Sequence, residues 1–198
     1  MPTLARRLGG ALAAVTSALA LAVLPGALSS SASAAVCSDP VGTPGNIPAL
    51  TVSRRDYPLT GGLYMDTNAT VSRNTGGVDA TTHTFNTYWG IGYTGGVLVV
   101  LKNGCGDPIG VTEPVKFGVA AKSEFWAPHD RIDFWTKPMP AAIAQRAVTA
   151  EIVHVRAYNG RTLVDVYRGL RDSACYVLKT TGVNTGDCWL PPAELINI

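Results

Sequence analysis

The chain has 198 residues, 46% of them hydrophobic, with 16 Lys and Arg against 14 Asp and Glu. This length is typical of one domain. Arg6 and Arg7 belong to an N-terminal segment that we expect to be removed, which leaves 14 basic and 14 acidic residues. A neutral chain lacks the strongly basic surface that attracts nucleic acid or an anionic membrane. We therefore expect no nucleic acid partner and, after cleavage, no membrane partner.

Residues 1–34 have the layout of a secretory signal peptide. Two arginines precede an uncharged run rich in Ala, Leu and Val, which ends at Pro25, and Ala32-Ser33-Ala34 fits a cleavage site. The run is short for a membrane span, which needs roughly 20 apolar residues. We predict a secreted, extracellular, soluble protein in which residues 35–198 form a single β-rich domain.

All four cysteines, Cys37, Cys105, Cys175 and Cys188, follow the signal. An even number of cysteines in an oxidising compartment predicts two disulfides. Three pairings are possible, and the short, glycine-containing span between the last two favours Cys175–Cys188, which leaves Cys37–Cys105. A zinc site is the alternative, but the sequence lacks the C-x-x-C spacing that usually accompanies one.

The middle of the chain reads as strands. Residues 82–93 place large side chains on alternate positions, the period of a strand with one buried face. Gly95-Gly96 favours a tight hairpin turn. Residues 97–101 are continuously apolar, which is typical of a strand covered on both faces.

The remaining elements complete an all-β pattern. Short strands are indicated at 115–119, 124–126 and 131–135, and a helix of barely two turns at Pro140–Arg146. Asn159-Gly160 separates two runs rich in β-branched residues, the strongest short-range signal for a hairpin, and predicts one over 149–167. Many short strands with almost no helix indicate an antiparallel β-sandwich with at most one short helix, or alternatively a β-barrel.

The predicted hairpin places His154 directly across from Asp165. A carboxylate facing an imidazole can fix its tautomer and raise its basicity, as a general base requires, so this pair is the candidate catalytic site. The alternative, which we favour, is a cross-strand charged pair on a solvated face. Glu151 and Arg156 add an acid and a cation, but Glu151 points to the opposite face of a regular strand from His154.

The segment 124–135 is dense in aromatic and charged residues. Flat rings beside carboxylates are what a sugar or aromatic ligand needs, because they combine stacking with directional hydrogen bonds. The candidate ligand-binding residues are Trp126, His129, Asp130, Asp133 and Trp135. The alternative is that the aromatic residues of this segment belong to the core.

Motifs for enzymatic chemistry are missing from the sequence. No serine lies in G-x-S-x-G, there is no H-E-x-x-H or EF-hand loop, and no cofactor or metal is predicted. The glycines Gly90, Gly92 and Gly95 precede a strand, whereas a dinucleotide site needs a helix there. We expect a secreted binding module for an extracellular ligand, a polysaccharide or a protein. The alternatives are a small hydrolase that uses His154 with Asp165, or His129 with Asp130 or Asp133, as acid and base, and a protease inhibitor presenting the loop between Cys175 and Cys188. No motif identifies the ligand or the oligomeric state.

Overall fold

The computed structural model describes residues 46–59, 62–156 and 161–181, without the side chains of Pro58, Leu59 and Arg161. The predicted signal, Cys37, the Asn159-Gly160 turn and Cys188 lie outside the described residues. Within them the elements are β1 (Leu50–Leu59), β2 (Leu63–Val71), β3 (Gly77–Asn86), β4 (Tyr93–Lys102), β5 (Pro108–Val111), β6 (Val115–Val119), β7 (Asp130–Pro138), α1 (Ala141–Arg146), β8 (Thr149–Arg156) and α2 (Arg161–Thr180).

The strands form two antiparallel sheets, which confirms the sandwich. Sheet A has the order β1-β2-β3-β7. In sheet B, β4 is central: β8 pairs along one of its edges, and β5 and β6 share the other. The sheets stay separate instead of closing into a barrel. Arg54 of β1 joins them at one side, because its Nη1 donates a hydrogen bond of 2.9 Å to the carbonyl of Ile152 on β8.

The apolar run 97–101 is buried on both faces of β4, as predicted. Val97, Val99 and Leu101 pack in a core cluster with residues of sheet A such as Leu63 and Met65. The intervening Leu98 and Val100 belong to a second cluster, which includes residues of β8 and α2. Each fully buried Val or Leu contributes about 1.5–3 kcal/mol, so this strand anchors both layers.

Helix α2 corrects the predicted hairpin, because residues 161–180 do not return as a strand. The buried positions Leu163, Tyr167, Ala174 and Leu178 recur at the three- and four-residue spacing of one helix face. β-Branched residues in this segment suggested a strand, but the outer face of β4 needs an apolar cover, and the helix supplies it. The partner of β8 is β4, with His154 opposite Val97. Helix α1 lies where the sequence predicted it. Helix α2 is a second and longer helix, whereas at most one short helix was expected.

Gly95 and Gly96 lie inside β4, so the turn predicted there is wrong. A Cβ at Gly95 would collide with the Met65 sulfur and lie 2.7 Å from the Tyr93 hydroxyl, and one at Gly96 would collide with Leu163. The two glycines therefore let side chains of both layers approach the backbone closely. The predicted strand 82–93 is also divided, because β3 ends at Asn86 and residues 87–92 form a loop.

Two further predictions concern the second half of the chain. Residues 115–119 and 131–135 are strands, as expected, but 124–126 lie in a loop. Neither Cys105 nor Cys175 is a free thiol, and because their expected partners lie outside the described residues, the pairing stays a prediction. Among the described helices, none has the length and apolar character needed to cross a membrane.

Candidate functional site

Strand alternation gives sheet A an inner face, directed at sheet B, and an outer face. The outer face consists of Thr51, Ser53, Arg55 and Tyr57 on β1, Tyr64, Asp66, Asn68 and Thr70 on β2, Asp79, Thr81, His83 and Phe85 on β3, and Asp130, Ile132, Phe134 and Thr136 on β7. All of these residues are exposed or partly exposed. Rings, hydroxyl groups, carboxylates and a carboxamide thus share one surface on a hydrogen-bonded sheet.

An aromatic row crosses one end of this face. It consists of Tyr57, Tyr64, His83 and Phe85. The Tyr64 ring centroid lies 6.1 Å from that of Tyr57, 5.0 Å from that of Phe85 and 5.3 Å from that of His83, which meets it edge-on. The Arg55 guanidinium lies 5.5 Å from the Tyr64 centroid, within cation–π range. Partial burial, followed by the charge of Asp130, raises the pKa of Tyr64, so its hydroxyl stays protonated and can donate a hydrogen bond.

Hydrogen bonds hold the charged side chains of the outer face. His83 Nε2 lies 2.6 Å from Asp130 Oδ1, and Arg55 Nε donates a bond of 2.8 Å to Asp66. The bond to Asp66 raises the pKa of Arg55 above its ordinary value. Asp79 accepts a bond of 2.8 Å from the Thr136 hydroxyl. These contacts fix the directions of polar groups beside the rings before any ligand arrives.

A groove of about 510 Å³ adjoins the aromatic row on the outer face. It is lined by Thr51, Asn68, Ala69, Thr70, Asp79, Ala80, Thr81, Phe134, Trp135 and Thr136, so all four strands of sheet A contribute. Phe134 is 83% exposed. An exposed phenylalanine contributes little to folding, and together with the row it forms an apolar surface of the kind that marks binding sites.

The five predicted ligand residues do not form one site. Asp130 lies on the outer face, whereas Asp133 and Trp135 point inward and Trp126 lies in the preceding loop, 84% exposed. Trp135 is buried and its indole is hydrogen-bonded, so its side chain belongs to the core, although the residue also borders the groove. His129 is partly exposed in that loop, and its carbonyl accepts a bond from the Asn86 amide.

The sequence analysis missed the residues of the aromatic row and Phe134. A signal existed on β2, where Tyr64, Asp66, Asn68 and Thr70 alternate with mostly apolar residues. That alternation shows that Tyr64 faces away from the core.

A chain of hydrogen-bonded polar groups, the inner polar chain, joins the inner face of sheet A to β8, and all of its side chains are buried except that of Asp56, which is 31% exposed. It consists of Trp135, Thr82, Thr67, His154 and Asp56, one residue from each strand of sheet A plus His154 from β8. The successive distances are 2.9 Å from Trp135 Nε1 to Thr82 Oγ1, 2.9 Å between the two threonine hydroxyls, 2.8 Å from Thr67 Oγ1 to His154 Nε2, and 3.0 Å from His154 Nδ1 to Asp56 Oδ2.

The two ends of the chain fix the direction of its hydrogen bonds. Indole can only donate, and a carboxylate can only accept. A neutral His154 therefore places its proton on Nδ1, facing Asp56, and its Nε2 accepts from Thr67, which in turn accepts from Thr82. Burial lowers the pKa of His154, while the nearby Asp56 carboxylate opposes that shift, and the net direction is downward. The lowered pKa favours a neutral imidazole, and the hydrogen bonds of the chain accommodate that form.

The pair predicted between His154 and Asp165 is not formed. Asp165 lies on α2, where it accepts a bond of 2.9 Å from Arg168. The His154 side chain is 2% exposed, and both of its nitrogens are hydrogen-bonded. Glu151 lies on the opposite face of β8, as expected, where it contacts Lys102 and Arg54. His154 therefore connects the two sheets through a buried imidazole whose two nitrogens are already hydrogen-bonded.

Among residues 46–59, 62–156 and 161–181, no cluster of His, Cys, Asp or Glu could hold a metal ion. No family model, no curated protein and no solved structure matches this chain.

Proposed function

We propose that this protein is a binding module, and that its ligand is an extracellular polysaccharide that docks on the outer face of sheet A. The observation that carries the proposal is the aromatic row and exposed Phe134 beside a groove of hydroxyl, carboxamide and carboxylate groups. Rings pack against the C–H faces of pyranoses, and polar groups exchange hydrogen bonds with sugar hydroxyls. A sheet holds both kinds of group at fixed positions, so these groups lose little conformational entropy on binding.

The shape of the face favours a single polysaccharide chain over a flat crystalline surface. The ring planes of Tyr57 and Tyr64 are inclined by 59°, and those of Tyr64 and Phe85 by 32°. Rings inclined in this way cannot all stack on one plane. The groove crosses all four strands, so an extended chain can pass from the rings to the polar groups. A protein partner remains the alternative ligand.

The charges of the outer face restrict the polysaccharide further. Asp66, Asp79 and Asp130 supply three carboxylates, against the single guanidinium of Arg55. Because like charges repel and opposite charges attract across an interface, an acidic polymer is disfavoured. We expect neutral or amino-sugar polymers to bind.

Affinity electrophoresis in gels that contain one polymer at a time tests the proposal. The polymers are a neutral β-glucan, chitosan and polygalacturonate, and the first two, but not the third, should retard the protein. Phe134→Ala should weaken retention about tenfold, equivalent to about 1.4 kcal/mol. Tyr176→Ala is the matched control, because Tyr176 is 70% exposed but lies on α2. Absence of retention by every polymer, or equal effects of the two variants, would overturn the proposal.

The proposal includes export, with removal of residues 1–34 and formation of Cys37–Cys105 and Cys175–Cys188. Mass spectrometry of the secreted protein tests the cleavage, and peptide mapping without reductant tests the pairing. An intact N-terminus on the mature protein, or a different pairing, would contradict these parts.

The two alternatives lack a comparable observation. The hydrolase prediction depended either on a His154–Asp165 pair, which is not formed, or on His129 with Asp130 or Asp133. Asp130 is hydrogen-bonded to His83 instead, and Asp133 to Arg131. The inhibitor prediction depended on the segment between Cys175 and Cys188, of which residues 176–180 are helical and 182–188 lie outside the described residues.

A further inference from the structure

A second cluster of exposed hydrophobic residues lies at the end of sheet A where β3 ends and β7 begins. The loops 87–92 and 120–129 meet there and carry Trp89, Ile91, Phe125 and Trp126, which are 57–84% exposed. The rings of Trp89 and Phe125 are in edge contact, with centroids 6.4 Å apart. We call these four residues the hydrophobic tip. None of them belongs to the outer face of sheet A.

The backbone beneath the hydrophobic tip is fixed. The amide of Lys122 donates a hydrogen bond of 2.7 Å to the carbonyl of Tyr88, and the amide of Ser123 one of 3.2 Å to Trp89. The buried side-chain amide of Asn86 ties the loops again, because it donates to the carbonyls of Ile91 and Ala120 at 2.7 and 2.8 Å. The apolar side chains are therefore held outward by the fold.

We propose that the hydrophobic tip docks on a lipid bilayer that contains anionic lipids. The tip projects from loops, and projecting apolar side chains can enter a soft interface without needing a complementary pocket. Indole rings favour the boundary between headgroups and acyl chains, because they are apolar with one polar N–H. Lys122 adds a positive charge at this place: its ammonium lies 5.6 Å from the centroid of Trp89. That position suits a lipid phosphate.

The neutral charge of the whole chain does not oppose this site. It removes long-range attraction to an anionic membrane, but insertion of apolar side chains contributes in proportion to their surface area, and Lys122 supplies a local attraction to anionic lipids. Glu124 lies in the same turn and is half-buried, whereas Lys122 is exposed. Lys122 is therefore the more exposed of the two charged side chains in this turn, and its charge is positive.

Vesicle flotation of the complete secreted protein tests the proposal, with phosphatidylcholine vesicles alone and mixed with phosphatidylglycerol. We expect flotation with the mixed vesicles and a blue shift of tryptophan emission. The double variant Phe125→Ser, Trp126→Ser should reduce the bound fraction at least tenfold. Lys122→Ala should weaken binding to the mixed vesicles more than binding to phosphatidylcholine. Because all three side chains are exposed, circular dichroism should show each variant folded.

Phe134→Ser is the matched control, because Phe134 is 83% exposed and Phe125 82%. It should leave flotation unchanged while it weakens retention by polysaccharide. Absence of flotation, or equal losses for the control and the double variant, would overturn the membrane proposal. If the double variant loses polysaccharide retention and the protein never floats, the tip belongs to the sugar site. The polysaccharide proposal is tested separately, by affinity electrophoresis of Phe134→Ala, so none of these flotation results affects it.

Discussion

In an ordinary β-sandwich the inner face of a sheet is apolar and its outer face is polar. Sheet A departs from this pattern on both of its faces. The inner face places two buried threonines and a half-buried aspartate against the buried His154 of β8, while the outer face carries the exposed Phe134 and the aromatic row. On the inner face, hydrogen bonds satisfy the polar groups of the chain, so they stabilise the fold. On the outer face, the rings remain available for contact. In this protein the ionisable pair that resembles a catalytic site therefore has a structural role, and the aromatic residues that resemble a core are the candidate site.

Removal of the imidazole should have the largest effect on stability. His154→Ala opens a cavity and removes a hydrogen-bond partner from the buried Thr67 hydroxyl and from Asp56, which keeps Arg54, so the free energy of unfolding should fall by about 3 kcal/mol. Denaturant titration followed by circular dichroism measures the change. His83→Ala breaks a more exposed pair on the outer face and should cost less than about 1 kcal/mol. Similar losses of free energy of unfolding in the two variants would contradict the stabilising role that we assign to the inner polar chain.

Removal of one hydroxyl from the inner polar chain should have an intermediate effect. Thr67→Val keeps the shape of the side chain but deprives His154 Nε2 of its donor and Thr82 of its acceptor. We expect a loss of about 2 kcal/mol, the cost of leaving buried polar groups unpaired. Thr70→Val, three residues further along β2 and on the outer face, should be nearly neutral. An unchanged midpoint for Thr67→Val would mean that the chain contributes nothing to stability.

The inner polar chain should also make stability depend on pH. The pKa of His154 is lowered in the folded protein, so the unfolded state binds the proton more readily. The free energy of unfolding should be fully retained above the unfolded pKa of roughly 6.5 and should fall as the pH decreases from there toward the lower folded pKa. Asp56 limits the size of this effect, because its charge opposes the shift.

Denaturation midpoints across this pH range measure the dependence. In His154→Gln the component of the pH dependence that belongs to His154 should vanish. A steeper loss of stability toward high pH in the wild type would contradict the neutral imidazole.

The sequence predicted the architecture better than the contacts. The apolar run of β4 could be placed between two layers because five consecutive hydrophobic residues leave no polar face. Helix α2 could not be separated from a strand, because Val164 and Val166 fit both periods and the cover required by β4 is a tertiary property. The close approach at Gly95 depends on Met65, which is distant in the sequence.

The candidate site was hidden for a related reason. Along β3, Thr82 and Thr84 alternate with His83 and Phe85, so hydrophobicity alone assigns Phe85 to the core and the threonines to solvent. The structure reverses this assignment, because Thr82 finds hydrogen-bond partners on β2 and β7. Partners on other strands cannot be identified from the local pattern of one strand.

The smallest change on the outer face should separate ring stacking from hydrogen bonding. Tyr64→Phe removes a hydroxyl but keeps the ring, so stability should change by less than about 0.5 kcal/mol, as for most surface substitutions. Polysaccharide retention should persist if the ring carries the contact, whereas Tyr64→Ser should weaken it about tenfold at equal stability. If Tyr64→Phe loses as much retention as Tyr64→Ser, the hydroxyl makes the decisive contact, as a hydrogen-bond donor to a sugar oxygen. Either result assigns Tyr64 to the ligand, and a loss of stability in Tyr64→Phe would instead assign its hydroxyl to the fold.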